Sequence, residues 1–236
     1  MHRPRSFTVA FAALLGVVAL GTASAWADDP PRPAPSAPSA APVKAVDIAS
    51  RVQAFYNQTK TFSSNFVQDY KVKAYNTTKH STGKVVFQKP GEMSWTYDTP
   101  NGNRVVSDGT TLKVYEKENQ QMYETPLGKS QYPAALAFLM GQGDLNASFN
   151  LKLLDSKKMK FEGGHVLEGT PKTPTPAYQK VIIYVDSATA QVRRMVILDA
   201  QGNRNTFTFE NPQVNTPVAA GEFTFTPPPG TQIVRP

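Results

Sequence analysis

Cysteine is absent from the 236 residues. That excludes disulfides, thiol catalysis, thiolate metal sites and lipid attachment through an N-terminal cysteine. Histidine is scarce, with only His2, His80 and His165, so a histidine-rich metal site and most histidine-dependent catalysis are excluded too. Long apolar runs are also missing. The longest, Phe7 to Leu20, is shorter than the roughly 20 residues that a membrane-spanning helix needs. Paired carboxylates do not stand out: Asp69, Asp98, Asp108 and Glu116 lie near strands or turns without a spacing that predicts a catalytic pair. Ser107-Asp108-Gly109 lacks a nucleophile elbow. These absences argue against an enzyme, a metal and a cofactor.

What is present begins with an address. Met1-His2-Arg3-Pro4-Arg5, the apolar run and Ala23-Ser24-Ala25-Trp26-Ala27 are the three parts of a secretory signal peptide. Residues 1–27 are therefore expected to be removed after Ala25 or Ala27, an uncleaved anchor being the alternative. Residues 28–44 hold six prolines and no large aromatic, the composition of an exposed linker in polyproline II. Residues 45–236 remain as a single domain. The formal charge of +7 less Arg3 and Arg5 gives +5 for the mature chain. That charge favours approach to anionic surfaces. The densest basic run, Lys157-Lys158-Met159-Lys160, reads as a solvated turn and gives no argument for nucleic acid.

Within the domain, Ile48, Val52, Phe55 and Tyr56 fall at helical spacing over 45–60, with Asp47 in the first turn. From Phe62 the period becomes two: Phe62, Ser64, Phe66, Gln68, Tyr70 and Val72 share one face. The alternation recurs at Val85 and Phe87, then at Met93, Trp95 and Tyr97. Further strands are expected at 103–107, 111–117, 119–124, 149–155, 159–168, 178–186, 191–199, 204–210 and 222–226. Turn residues separate them, so an antiparallel meander follows. One apolar segment, Pro133 to Met140, is built from helix formers and stopped by Gly141 and Gly143. The fold class is α+β, a strongly curved antiparallel sheet with two helical segments over its apolar face. Periodicity alone lets Met93, Trp95 and Tyr97 serve a solid core or the wall of a cavity.

Three blocks, in order, carry a family resemblance. They are Phe62-Ser63-Ser64-Asn65-Phe66-Val67-Gln68; the stretch from Gly83 through Phe87, Lys89-Pro90-Gly91 and Met93-Ser94-Trp95 to Val106-Ser107-Asp108-Gly109-Thr110-Thr111-Leu112; and Phe223-Thr224-Phe225-Thr226-Pro227-Pro228-Pro229-Gly230. Together they resemble the LolA family of periplasmic lipoprotein carriers. The resemblance implies an incomplete, half-open β-barrel closed by a helical lid, with an apolar cavity for the acyl chains of lipoproteins. It places Phe66, Val85, Phe87, Met93, Trp95, Tyr97, Val114, Leu136, Phe138 and Leu139 on that cavity, each inner aromatic being partly exposed to the ligand space. It also implies a periplasmic monomer, loaded by an inner-membrane ABC transporter and unloaded to a LolB-like outer-membrane acceptor. A basic residue before the proline of the second block, normally arginine, contacts the lid in the family; here it is Lys89, which also reads as an exposed lysine beside a turn. A carrier of another amphiphile, such as a glycolipid or a lipopolysaccharide precursor, is the alternative function.

Overall fold

A computed structural model describes residues 42–129, 139 and 143–235. The signal, the linker up to residue 41 and all of the apolar run at 133–140 except Leu139 lie outside the described residues.

Helix α1 runs from Ala45 to Gln58, and its stripe Ile48, Ala49, Val52, Gln53 and Tyr56 is buried. It ends at Thr59, which turns extended and donates its amide to the carbonyls of Phe55 and Tyr56. Strands β1 (Thr61–Val72), β2 (Thr77–Gln88), β3 (Glu92–Tyr97), β4 (Arg104–Asp108), β5 (Thr111–Glu116) and β6 (Gln121–Pro126) follow as one meander. A single helical turn, α2 (Leu145–Ser148), opens a second meander: β7 (Phe149–Leu154), β8 (Gly164–Pro171), β9 (Lys180–Asp186), β10 (Val192–Leu198) and β11 (Arg204–Val214). The short β12 (Gln232–Val234) closes the list.

All twelve strands form one sheet in the order β12-β6-β5-β4-β3-β2-β1-β11-β10-β9-β8-β7. The two meanders join where β1 pairs with β11, with Phe66 opposite Phe209 and Gln68 opposite Phe207. Every pairing is antiparallel except β12 beside β6. Among the described residues the edge strands β12 and β7 do not pair with each other.

Two strand expectations are corrected. Residues 222–226 are not a strand but a turn and an extended strap. Their alternation places Phe225 against Tyr115, ring centroids 5.4 Å apart, while Thr224 bonds back to Gly221 rather than into a ladder. The strand expected at 159–168 begins only at Gly164. Residues 156–160 form a turn because the Asp155 carboxylate accepts the amides of Lys157 and Lys158.

Pleating divides the apolar residues between two faces. One face, here called inner, gathers α1, Phe62, Phe66, Val85, Phe87, Met93, Trp95, Val105, Leu112, Leu167, Ile183, Met195, Phe207 and Phe209 into a single core. The other carries a smaller cluster of Val166, Tyr184 and Val196.

Candidate functional site

The inner face is assembled in rows by strand register. Val85, Trp95, Val105 and Val114 lie side by side across β2 to β5. Phe62, Phe87, Met93, Ser107 and Leu112 make the next row across β1 to β5. From the second meander come Leu167, Ile183, Met195 and Phe207. Successive members alternate with residues of the outer face, polar along β3 but partly apolar along β2, β4, β8, β9 and β10, so one register fixes the composition of the whole face.

Aromatic rings dominate its middle. The Phe66 ring meets Trp95 at 5.0 Å, Tyr97 at 5.1 Å and Phe207 at 6.4 Å, all edge to face. Trp95 in turn meets Phe87 at 5.9 Å and Phe207 at 5.3 Å. Such pairs add about 0.5–1.5 kcal/mol each beyond the area they bury. Gly83 makes room for this packing. A Cβ there would lie 2.1 Å from the Thr96 carbonyl oxygen and 2.8 Å from the Phe66 ring, so only glycine lets that ring lie on the β2 backbone.

The structure brings Phe66, Val85, Phe87, Met93, Trp95, Tyr97, Val114 and Leu139 into one cluster, Tyr97 and Val114 at its half-buried margin. Leu136 and Phe138 lie outside the described residues. The partial exposure expected of each inner aromatic is found at Tyr97 but not at the other three. Phe66, Phe87 and Trp95 are 1%, 2% and 1% exposed, because the rings fill one another's edges. Strands β8 to β11 also contribute to the face, through Leu167, Ile183, Met195, Phe207 and Phe209. Phe207 and Phe209 alternate with Thr206 and Thr208, a signal of a strand but not of which strands its face would meet.

One polar atom on this face has no partner. The Trp95 Nε1 is buried without a hydrogen bond, a condition that costs about 1–3 kcal/mol for a donor that water would satisfy.

Polar contacts fasten the cover over the face. The Lys89 ammonium donates to the Tyr56 carbonyl and, at 3.1 Å, to that of Asn57. It thereby supplies the cation that the last turn of α1 lacks. Burial pushes the Lys89 pKa down. Gln53 is buried in the apolar stripe of α1, where its Oε1 accepts the Leu145 amide at 3.1 Å and its Nε2 donates to Asn57 and Gly143. Asn146 donates to Ser50 Oγ at 2.9 Å. The Tyr56 hydroxyl accepts the Val192 amide at 3.1 Å, and its burial raises its pKa. These residues tie α1 to the segment that follows Leu139 and to β10; the sequence marks Lys89 as a lid contact and Tyr56 as a position on the helix stripe, but neither Gln53 nor Asn146.

Among the described residues, no group of three or more His, Asp or Glu side chains is placed to hold a metal. Nor is any helix among them long and apolar enough to cross a membrane. The exposed His80 ring bonds Asp69 at 2.8 Å. What the site offers is a broad carbon surface under a helix, with one free donor in its middle.

Comparison with known proteins gives the family. Residues 57–226 match the family model described as outer membrane lipoprotein carrier protein LolA. An outer-membrane lipoprotein carrier protein of Cupriavidus necator is 30% identical over 188 residues, covering 78% of this chain and 86% of its own. One from Nitrosomonas europaea is 28% identical over 194 residues, covering 82% and 91%. Among solved structures, a conserved protein of Thermus thermophilus shares the fold at TM-score 0.50 and 15% identity, covering 81% of this chain and 99% of that one. The proteins of this family are carriers and not enzymes. On the family match and the relatives alike, this chain belongs to the LolA family of outer membrane lipoprotein carrier proteins.

Proposed function

We propose that this chain is a periplasmic carrier that takes the acyl chains of lipoproteins onto its inner face and ferries them from the inner to the outer membrane. The observation that carries the reading is the continuous aromatic face, in a member of the LolA family, covered by a helix that a few polar contacts hold. A half-open barrel suits this role. Trp95 and Phe207 stand on strands three steps apart, about 14 Å along the sheet, yet their rings meet at 5.3 Å, which supports a concave face. The described arrangement is then the closed, unloaded state, in which the rings satisfy one another. Loading exchanges ring-to-ring contacts for contacts with acyl chains once the cover parts.

Energetics require a partner. Each buried methylene is worth about 0.8 kcal/mol, so one palmitoyl-length chain is held in a membrane by roughly 10 kcal/mol. Lipoproteins carry two or three such chains, and spontaneous extraction would be far too slow. An energised donor, an inner-membrane ABC transporter of the Lol type, therefore loads the carrier. Release runs downhill to an outer-membrane acceptor, LolB-like where one exists, because reclosure of the aromatic face offsets part of the lost contacts. Without cysteine the chain is not itself a lipoprotein acceptor. The signal read in residues 1–27 supplies the route to the periplasm.

The test is incubation of the purified chain with inner-membrane vesicles and ATP. Lipoproteins should appear in the soluble fraction bound to it, and only with ATP. Release of a glycolipid in place of lipoproteins would reassign the cargo.

A further inference from the structure

Trp95 is an odd choice for a purely apolar wall. Its neighbours Phe66, Phe87, Phe207 and Phe209 are carbon surfaces, and a phenylalanine would fill such a site with no donor to satisfy. The indole Nε1 is buried and without a partner, and native interiors seldom leave a donor so. The ring faces around it are weak acceptors, far poorer than a carbonyl oxygen. A donor-only group calls for an acceptor-only ligand atom.

The charge around the face narrows the chemistry. The Lys89 ammonium is occupied by the last carbonyls of α1. The Arg104 guanidinium lies on the opposite face, 5.6 Å over Phe225. No cation therefore stands free beside Trp95 among the described residues, and a fatty-acid carboxylate would be buried as an unpaired charge. A neutral ester carbonyl brings an acceptor and no charge.

We infer that the Trp95 indole N–H is the polar anchor of the acyl-binding face, donating to an ester carbonyl oxygen of the cargo and so favouring ester-linked over ether-linked chains. This rests on the carrier reading above. Apolar contacts hold chains of any linkage; the anchor sets their depth and linkage preference.

The experiment pits a dipalmitoyl-glyceryl cysteine peptide against its dihexadecyl-ether counterpart, both displacing an environment-sensitive dye from the full chain. The ester should displace dye at a concentration about five- to tenfold lower than the ether, the scale of one hydrogen bond. Trp95→Phe should bind both at the weaker value. Because only Trp26 and Trp95 carry indoles, a nitrogen-15 indole spectrum of the unsubstituted chain gives a second reading that survives if the variant fails to fold. The Trp95 resonance should move downfield with the ester and stay with the ether. Equal displacement by both peptides, or a preference that persists in Trp95→Phe, overturns the anchor and leaves the carrier reading standing. Displacement by neither peptide overturns both.

Discussion

The two faces of the sheet bury apolar residues in different ways. On the outer face, Val166, Tyr184 and Val196 are covered by residues 155–163, a segment pinned by its own hydrogen bonds. Phe161 sets its edge on Tyr184 at 5.3 Å, and Arg194 lies 5.2 Å over the same ring. Further along, Phe225 packs on Tyr115 while Lys113 Nζ donates to the Phe225 carbonyl at 3.3 Å. Each outer patch is small and is covered by a short turn or strap. The inner face is much larger, and α1 lies across it on side-chain contacts with polar pins at Lys89, Gln53 and Tyr56. The carrier function proposed above needs the inner cover, and not the outer ones, to part.

That contrast can be broken or sharpened by substitution. The largest effect is expected at Phe66→Ala, which should cost about 3–5 kcal/mol in urea unfolding and weaken dye binding. Phe225→Ala should cost less and leave dye binding intact; loss of binding there would erase the distinction between the faces. Next comes Gly83→Val, where the close Thr96 carbonyl and Phe66 ring leave no space. A loss of about 3 kcal/mol is expected, and a neutral result would show that Phe66 does not rest on β2. Gln53→Leu leaves the Leu145 amide unpaired, a cost of about 1–3 kcal/mol. It should raise dye access to the inner face while hydrogen exchange in β9 and β10 stays unchanged.

Lys89→Leu should cost less, about 1 kcal/mol, and alter the alkaline response. Burial lowers the native pKa of Lys89, so the unfolded chain binds the proton more tightly. Lys89 therefore makes stability rise with pH between the native and unfolded values. Urea titrations should show that rise in the parent and a flatter curve in the variant. The smallest effect concerns Asp108 and Asp186, which hold turns in the two meanders. Hydrogen bonds from Thr111 and Thr110 lower the first pKa, and one from Thr189 leads in lowering the second. Their stabilisation is present above the ordinary carboxylate value and disappears as pH falls through the depressed native values. Asp108→Asn and Asp186→Asn should each blunt acid unfolding slightly, and equally if the two meanders share one cooperative unit.

Much of the sheet is legible in the sequence because its cause is local. The alternation from Phe62 to Val72 and at Met93, Trp95 and Tyr97 is a strand pattern whatever lies beyond it. The same logic misreads Phe223-Thr224-Phe225, since two phenylalanines at period two suit a strap lying on an existing sheet equally well. Gln232 to Val234 shows no period, because three residues are too few for one. The pairing of β1 with β11 joins residues about 140 positions apart, and no local pattern encodes it; hence Phe207 and Phe209 were not placed beside Phe66. The half of the inner face on β2 to β5 was legible through family resemblance. The unpartnered Trp95 nitrogen was not, because satisfaction of a donor is a property of its surroundings in space.

The most direct test places a photocrosslinking phenylalanine analogue at position 207, on the inner face, or at position 225, on the outer, during ATP-driven release from inner-membrane vesicles. Adducts between lipoprotein acyl chains and position 207, with none at 225, are the predicted result. Lipoprotein retained by the chain but crosslinked at 225 and not at 207 would contradict the account.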